Sequence, residues 1–324
     1  MLCRCFIFKK MSKVLILSQA QLESSTEEVC KWLECFQQPY LRYNGEDLFD
    51  LQQLCDLPND SEFRKAWYRR KVSKFPVDYA FREPHFENQY TMRRFLNSEF
   101  NILHSYLLNK ISLFKWVNNP VQDAQLNKLS VLDRAASCGL RTPYTNVLTD
   151  KDSLGKVLDQ YAEVIVKPLS ESIFFEEKIY VNYNMLTKII NKKNIKYAPE
   201  KFFPSLIQEC INKKMEIRSF YLYGKIYSMA IFSQANKQTQ EDFRNYDSQR
   251  PNRTVPFQLP GHIEEALRRL MEGLQFNTGS IDLIWALNGE YYFLEVNPEG
   301  QFGMVSEPCN YYLHKKMALA LKNN

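Results

Sequence analysis

Residues 280–302 read Ser280-Ile281-Asp282-Leu283-Ile284-Trp285-Ala286-Leu287-Asn288-Gly289-Glu290-Tyr291-Tyr292-Phe293-Leu294-Glu295-Val296-Asn297-Pro298-Glu299-Gly300-Gln301-Phe302. Two apolar strands are joined there by Asn-Gly, the strongest short-range hairpin signal. Folding at that turn returns Asp282 to the side of Glu295 and Asn297. Side chains along a strand repeat with a period of two, so Glu295 and Asn297 share a face. Two carboxylates and an amide are hard oxygen donors that suit Mg²⁺, an ion that keeps several waters and leaves its other positions to substrate phosphates. Taken alone, the stretch reads as a plain hairpin with polar ends. What weighs for nucleotide chemistry is the company it keeps.

Upstream, Val164-Ile165-Val166-Lys167-Pro168 ends a buried strand on a lysine, and Lys128 lies early in the helix before Gly139-Leu140-Arg141-Thr142-Pro143. Glu216-Ile217-Arg218 sets an acid and a base on one strand face. Each has a bland explanation when taken singly: a snorkelling edge lysine, a surface charge, an exposed ion pair.

At 324 residues and 45% hydrophobic content the chain fits two or three subdomains around substantial cores. No apolar stretch approaches the roughly 18 to 20 residues of a spanning helix, and Cys3 to Phe8 is too short an apolar core for a signal peptide. Met11 is the more natural start, which makes residues 1–10 an expected upstream extension. A net charge of +5 argues against a dedicated nucleic-acid binder. The eight cysteines (3, 5, 30, 35, 55, 138, 210, 309) contain no Cys-x-x-Cys pair and are read as reduced thiols in the cytoplasm, and the four histidines lack zinc-ligand spacing. Two basic stretches stand out: Arg64, Lys65, Arg69, Arg70, Lys71 and Lys74, and Lys188, Lys192, Lys193, Lys196 and Lys201. They are either solvated surface or a means of attracting an acidic partner, and the first is the candidate receiver of an acidic chain.

The chain opens as a β-α unit, with Val14 to Ser18 a buried strand and Ser25-Thr26-Glu27-Glu28 a capping box before the periodic Val29, Trp32, Leu33 and Phe36. Strands are expected at Tyr40 to Tyr43 and Ala66 to Arg70, and a helix within 86–118. Pro120 marks the first boundary, so residues 1–120 form an N-terminal α/β domain. A helix from Asp123 to Cys138 stopped by Gly139, a helix from about Asp152 and the strand ending at Pro168 place a second segment at 121–203. Pro204 opens the third, 204–324, with strands at Leu206 to Glu209, Glu216 to Tyr223 and Lys225 to Phe232, a polar and mobile loop from Lys237 to Val255, a helix from Ile263 to Leu274, the hairpin, and a last helix from about Tyr311.

In order, Lys128 with its Gly-Leu-x-x-Pro tail, Val-x-Lys167-Pro, Gln208-Glu209, Glu216-Ile-Arg218, Asp282 and Glu295-x-Asn297 resemble the motif series of the ATP-grasp superfamily across residues 121–303. The likeness extends to the maturases of graspetides, or omega-ester-containing peptides, and there to the grasp-with-spasm, microviridin-synthetase-like branch. It is carried by Val14 to Ser18, the Ser-Thr-Glu start of the first helix, Trp67-Tyr68-Arg69-Arg70, and Asn297 to Phe302 followed by Cys309-Asn310-Tyr311. The resemblance implies a mixed α/β and α+β architecture: an N-terminal pre-ATP-grasp domain and two α+β subdomains that clamp ATP. It implies that Lys128 and Lys167 hold the phosphates, that Gln208, Glu209, Cys210 and Ile211 line the adenine along the hinge, and that Glu216 faces the ribose. Arg218 and Arg244 would neutralise the transferred phosphoryl group, and Asp282, Glu295 and Asn297 would bind two Mg²⁺ ions. One departure is Leu169-Ser170-Glu171-Ser172-Ile173-Phe174-Phe175, which lacks the glycines many such enzymes close over the phosphates, so phosphate contact through that backbone is not expected.

The implied partner is a precursor peptide with a leader and an acidic core containing Thr or Ser. Neither a nucleic acid nor a membrane is expected as a partner, and a homodimer is admitted. The implied activity phosphorylates Asp or Glu of that core and links it to Thr or Ser hydroxyls, or Lys amines, as macrocyclic esters or amides. Two other readings use the same residues: a ligase adding free amino acids such as glutamate to a protein or peptide tail, and a non-catalytic nucleotide-binding scaffold. The scaffold predicts a broken metal set or a lost Arg218, and the sequence shows neither.

Overall fold

Val14, Leu15, Ile16 and Leu17 are all at most 3% exposed, which demands cover on both faces of their strand. β1 (Lys13–Ser18) is the middle of a parallel sheet ordered β2-β1-β3, flanked by β2 (Tyr40–Asn44) and β3 (Phe63–Tyr68). Alternation divides the run: Val14 and Ile16 meet Val29 and Leu33 of α1 (Ser24–Cys35), while Leu15 and Leu17 meet Phe100 and Leu107 of α2 (Gln89–Asn109). The computed structural model describes residues 12–21, 23–70, 89–169, 174–176, 182–184, 188–235 and 247–323. Residues 1–10, Lys71, Lys74, Arg244 and residues 170–173 of the glycine-free stretch lie outside them. No helix among the described residues is long and apolar enough to cross a membrane.

Ser25 and Thr26 do not cap α1. They lie buried within its first turn, where Ser25 Oγ donates to Gln301 Oε1 at 3.0 Å and Thr26 Oγ1 stands 3.0 Å from Ser18 Oγ. Glu23 occupies the cap position, and its carboxylate turns away to Arg69 and Arg70. The single helix expected from Asp123 to Cys138 is two, α3 (Pro120–Ala124) and α4 (Lys128–Ser137), because Asn127 accepts from the N–H groups of Leu129 and Ser130 and begins a new helix. Gly139, at φ 87°, ends α4 in the left-handed conformation expected of it.

The central sheet runs β4-β9-β5-β8, from β4 (Thr145–Asp150), β5 (Glu163–Lys167), β8 (Lys188–Asn191) and β9 (Lys201–Glu209). Leu154, Val157 and Leu158 of α5 (Lys151–Gln160) cover one of its faces through Val164 and Ile207. β6 (Phe174–Glu176) and β7 (Asn182–Asn184) form a separate antiparallel pair. Pro204 lies inside β9 rather than opening a segment. Pairing with β5 covers only residues 206–209, so the missing N–H of Pro204 costs no ladder bond on that side.

The C-terminal sheet is ordered β12-β11-β10-β13-β14, from β10 (Lys213–Leu222), β11 (Lys225–Phe232), β12 (Arg253–Phe257), β13 (Thr278–Ala286) and β14 (Tyr291–Asn297). β12 takes up the end of the segment expected as a loop. On one face Ile217, Tyr221, Ile281, Leu283 and Phe293 pack on α4 and on the apolar stripe of α6 (Gly261–Gly273). On the other, Phe220, Leu222, Met229 and Ile231 meet Val14, Ile16 and Trp67, together with α7 (Gly303–Ser306) and α8 (Leu313–Asn323). One end of that second face is thus joined to the N-terminal domain.

His314, 8% exposed and 4.9 Å from the Phe302 ring, sits in this seam. Burial holds its imidazole below the ordinary histidine value, Glu307 and Glu28 opposing and Arg69 assisting. A depressed folded-state value means that its contribution to stability is present above the unfolded value near 6.5 and is lost as pH falls through the folded one. The thermal midpoint is expected to drop between pH 7.5 and pH 5 (roughly the range over which imidazole charges), and to drop less steeply in His314→Gln. Calorimetry of both proteins across that range is the check, and equal slopes would remove His314 from the account.

Candidate active site

On the face of the C-terminal sheet away from α6, the apolar pattern breaks for a row of charged side chains. Register sets Arg218 against Asp282, Asp282 against Glu295, and Ser280 against Asn297. Arg218 Nη1 donates to both Asp282 oxygens at 2.8 Å, the two side chains being 11% and 13% exposed. Arg218 Nε has no hydrogen-bond partner among the described residues. Glu216, two residues earlier on the same face, is buried and accepts from Lys213 Nζ.

The hairpin that unites these strands is not a two-residue turn. Ala286 N–H donates to Glu290 O at 2.9 Å and Gly289 N–H to Ala286 O at 3.1 Å, with Gly289 at φ 88°. This is a three-residue loop whose last residue is left-handed. Its register pairs Trp285 with Tyr291 and Leu283 with Phe293, and continued unchanged it would set Asp282 against Leu294. A bulge inserts Leu294 and brings Glu295 opposite Asp282 instead. Phe293 and Val296 lie in the helix-side core and Leu294 on the open face. Glu295 therefore joins Leu294, where a regular strand would have turned the carboxylate into the core.

Beyond Asn297 the chain turns without slack. Gly300 N–H donates to Asn297 O at 3.0 Å, and a Cβ on Gly300 would stand 2.4 Å from Ser280 Cβ. Ser280 Oγ donates to Gln301 O at 3.1 Å. Burial, then the hydrogen bond and charge of Asp123, raise the Glu299 carboxyl far above the usual carboxylate range.

The first basic stretch is no single receiving face. Arg64 is exposed, Lys65 Nζ lies over the Tyr223 ring at 5.5 Å, and Arg69 is 2% exposed with Nε 3.1 Å from Glu23 Oε1. Arg70 Nε is 3.1 Å from the other Glu23 oxygen. Glu23 thus partners both arginines and offsets one of their two charges, so buried Arg69 is not available to an acidic chain, contrary to expectation, while Arg64 and Arg70 keep exposed surface.

On the central sheet, Lys167 ends β5 opposite Leu206, while Ile165 faces Gln208. Alternation puts all four on the face away from α5. Gln208, 2% exposed, donates to Thr145 Oγ1 at 2.9 Å. The N–H groups of Glu209 and Cys210 donate to Tyr144 O and Glu163 O. Ile211 joins Ile284, Ala286, Tyr292 and Leu294 in an apolar patch beside Glu216, whose register partner is Ile284. Sequence patterning does not distinguish this patch, because Ile284 and Leu294 read as ordinary strand interior. Lys213 and Glu23 are likewise missed, and only their burial marks them.

The fold therefore brings Glu216, Arg218, Asp282, Glu295 and Asn297 to one sheet face, and Lys167 and Gln208 to one face of the other sheet. Lys128 opens α4, whose apolar side packs on the opposite face of the C-terminal sheet. Among the described residues no group of three or more His, Cys, Asp or Glu is placed to hold a metal ion. The candidate donors are instead two carboxylates and an amide, a set suited to a hard cation that keeps its waters, with an arginine of the kind that matches phosphate geometry beside them.

No family model and no curated protein sequence matches the chain. Among solved structures it is similar to macrocyclase MdnC from Microcystis aeruginosa MRC, bound with precursor peptide MdnA, with a TM-score of 0.78 at 21% identity over 96% of this chain and 100% of that one. It is similar to a RiPP-associated ATP-grasp ligase of Chryseobacterium gregarium in complex with ADP and a leader and core peptide, with a TM-score of 0.75 at 20% identity, 97% of each chain being covered. ATP-grasp ligase PsnB, complexed with a phosphomimetic variant of a minimal precursor, Mg and ADP, gives 0.74 at 14% identity over 96% of this chain and 98% of that one. The chain has the ATP-grasp fold, as the motif order implied.

Proposed function

We propose that this chain is an ATP-dependent peptide maturase, which phosphorylates Asp or Glu side chains of a ribosomally made precursor and joins them to Thr or Ser hydroxyls, or Lys amines, of the same peptide as macrocyclic esters or amides. The observation that carries the reading is the end-to-end likeness to precursor-bound MdnC. It takes in the N-terminal domain as well as the nucleotide-binding part.

The donor set fits the ion this chemistry needs. Asp282 and Glu295 face each other across β13 and β14, Asn297 follows on the same strand face, and Arg218 now covers a carboxylate that a cation would otherwise claim. In this proposal Asp282, Glu295 and Asn297 would hold Mg²⁺, as two ions, which when bound would supply positive charge against the transferring oxygens. Lys128 and Lys167 hold the phosphates. Gln208, Glu209, Cys210 and Ile211 line the adenine, with Ile284 and Leu294 as its apolar shelf, and Glu216 faces the ribose. Arg218 neutralises the transferred phosphoryl group, and Arg244 is kept in the same role.

A carboxylate is a poor electrophile, and its phosphorylation creates a leaving group. The peptide hydroxyl or amine then attacks the acyl carbon, the bond to the phosphate oxygen breaks, and phosphate departs. The protein's part is positioning and electrostatics.

The test is mass spectrometry after incubation with precursor candidates from adjacent reading frames, ATP and Mg²⁺. Each ring formed should lower the peptide mass by one water, about 18 Da by the stoichiometry of acyl transfer, and free amino acids should not substitute for the peptide. Gains in amino-acid units would favour a tail ligase. An unchanged mass with every candidate would count against both.

A further inference from the structure

We propose that Arg69, at the end of β3 in the N-terminal domain, is a positioning residue for the metal ligands: its guanidinium sets the turn after Asn297 and thereby the aim of Asn297 and Glu295. The inference rests on the metal reading above.

Arg69 N–H donates to Leu17 O at 2.9 Å, so its backbone is tied to β1. Its side chain, buried to 2% exposure, places Nε 3.1 Å from Glu23 Oε1 and directs Nη1 to the main-chain carbonyl of Glu299. Among the described residues neither Glu23 oxygen nor Arg69 Nε or Nη2 makes a well-formed hydrogen bond, the 3.1 Å approach of Nε to Oε1 being an ion pair. The pair is therefore held by charge. Charges removed from water to this degree contribute little to stability compared with an apolar pair of similar volume, so their use here is better explained by what they orient.

What they orient is short and stiff. The Glu299 carbonyl lies two residues beyond Asn297, and the Gly300 N–H closes back on Asn297 O. A side chain at Gly300 would collide with Ser280 and with Asn297 O, so the turn runs close against β13 and leaves little room for the Glu299 carbonyl to shift. Ser25 adds a second anchor from the N-terminal domain through Gln301. Two elements far from the hairpin in sequence thus brace the residues that end β14.

Groups that orient metal ligands without touching the ion typically contribute about 10-fold to 100-fold in affinity. Arg69→Lys keeps a positive charge opposite Glu23 but lacks the fork that reaches Glu23 and the Glu299 carbonyl together. Mn²⁺ binding in the presence of ADP, followed by electron paramagnetic resonance of the free ion, is expected to weaken about 10-fold or more in Arg69→Lys, and further in Arg69→Met. ADP binding in chelator is expected to stay unchanged. Ser25→Ala removes the second anchor without disturbing a buried charge, so a smaller loss in the same direction is expected should the Arg69 variants fail to fold. Wild-type Mn²⁺ affinity in folded Arg69→Lys, or in Ser25→Ala when Arg69→Lys is unfolded, would reduce Arg69 to a latch between domains and overturn the inference. Absence of Mn²⁺ binding in the wild-type protein would overturn the metal reading and this inference together.

Discussion

Asp282→Asn is expected to lower turnover by roughly 1,000-fold, which is about 4 kcal/mol at the transition state and within the several kcal/mol that a bound cation supplies to developing charge. The amide preserves shape, and the side chain lies on the sheet face opposite the α6 core, so secondary structure should be unchanged. The thermal midpoint should move little, since an acceptor for Arg218 remains at the position where Nη1 now meets the carboxylate at 2.8 Å. Mn²⁺ affinity should fall together with turnover. Circular dichroism, metal binding and ADP release measured on one preparation decide the matter, and a folded variant with normal turnover would sink the assignment of Asp282 to the metal.

Arg218→Ala should separate the two functions in the opposite way. Its proposed partner is charge that develops on the transferred phosphoryl group, so turnover is expected to fall by about 1,000-fold, at the low end of what such an arginine contributes, while ATP affinity changes far less. The resting ion pair adds a sharper expectation. Because the guanidinium and a cation compete for Asp282, removing Arg218 should leave Mn²⁺ affinity undiminished. Arg218→Lys should recover only part of the rate, for a point charge does not reproduce the planar fork. Metal affinity lost in step with rate would instead make Arg218 a prop for the Asp282 side chain.

Much of this site was legible before any fold was known. Each of its signals is local: Asn-Gly between apolar runs, a period-two Glu-x-Asn, an acid and a base two residues apart on one strand. Such patterns follow from backbone geometry over a few residues, which is why the hairpin, the strand face shared by Glu216 and Arg218 and the left-handed stop at Gly139 were all expected. Where an alternative partner existed, the local signal misled. Ser25 and Thr26 have the composition of a cap, but Gln301 and Ser18 claim their hydroxyls. Asn127 looked like helix interior, yet its side chain satisfies two N–H groups and divides the helix.

By itself, then, the sequence indicated the opening β-α unit, the hairpin, the strands that carry the candidate oxygen donors, and the strand face that Glu295 and Asn297 share. Only the tertiary structure decided that a bulge at Leu294 keeps Glu295 out of the core. It alone decided that Ile211, Ile284 and Leu294 form one shelf, and that Arg69 is buried against Glu23 and the Glu299 carbonyl instead of standing free for an acidic chain. The reason is physical. Periodicity and turn chemistry are set by neighbours within a few residues, whereas desolvation and ion pairing depend on which distant segment arrives. A cation reads the same in sequence whether it ends in water or in a buried pair.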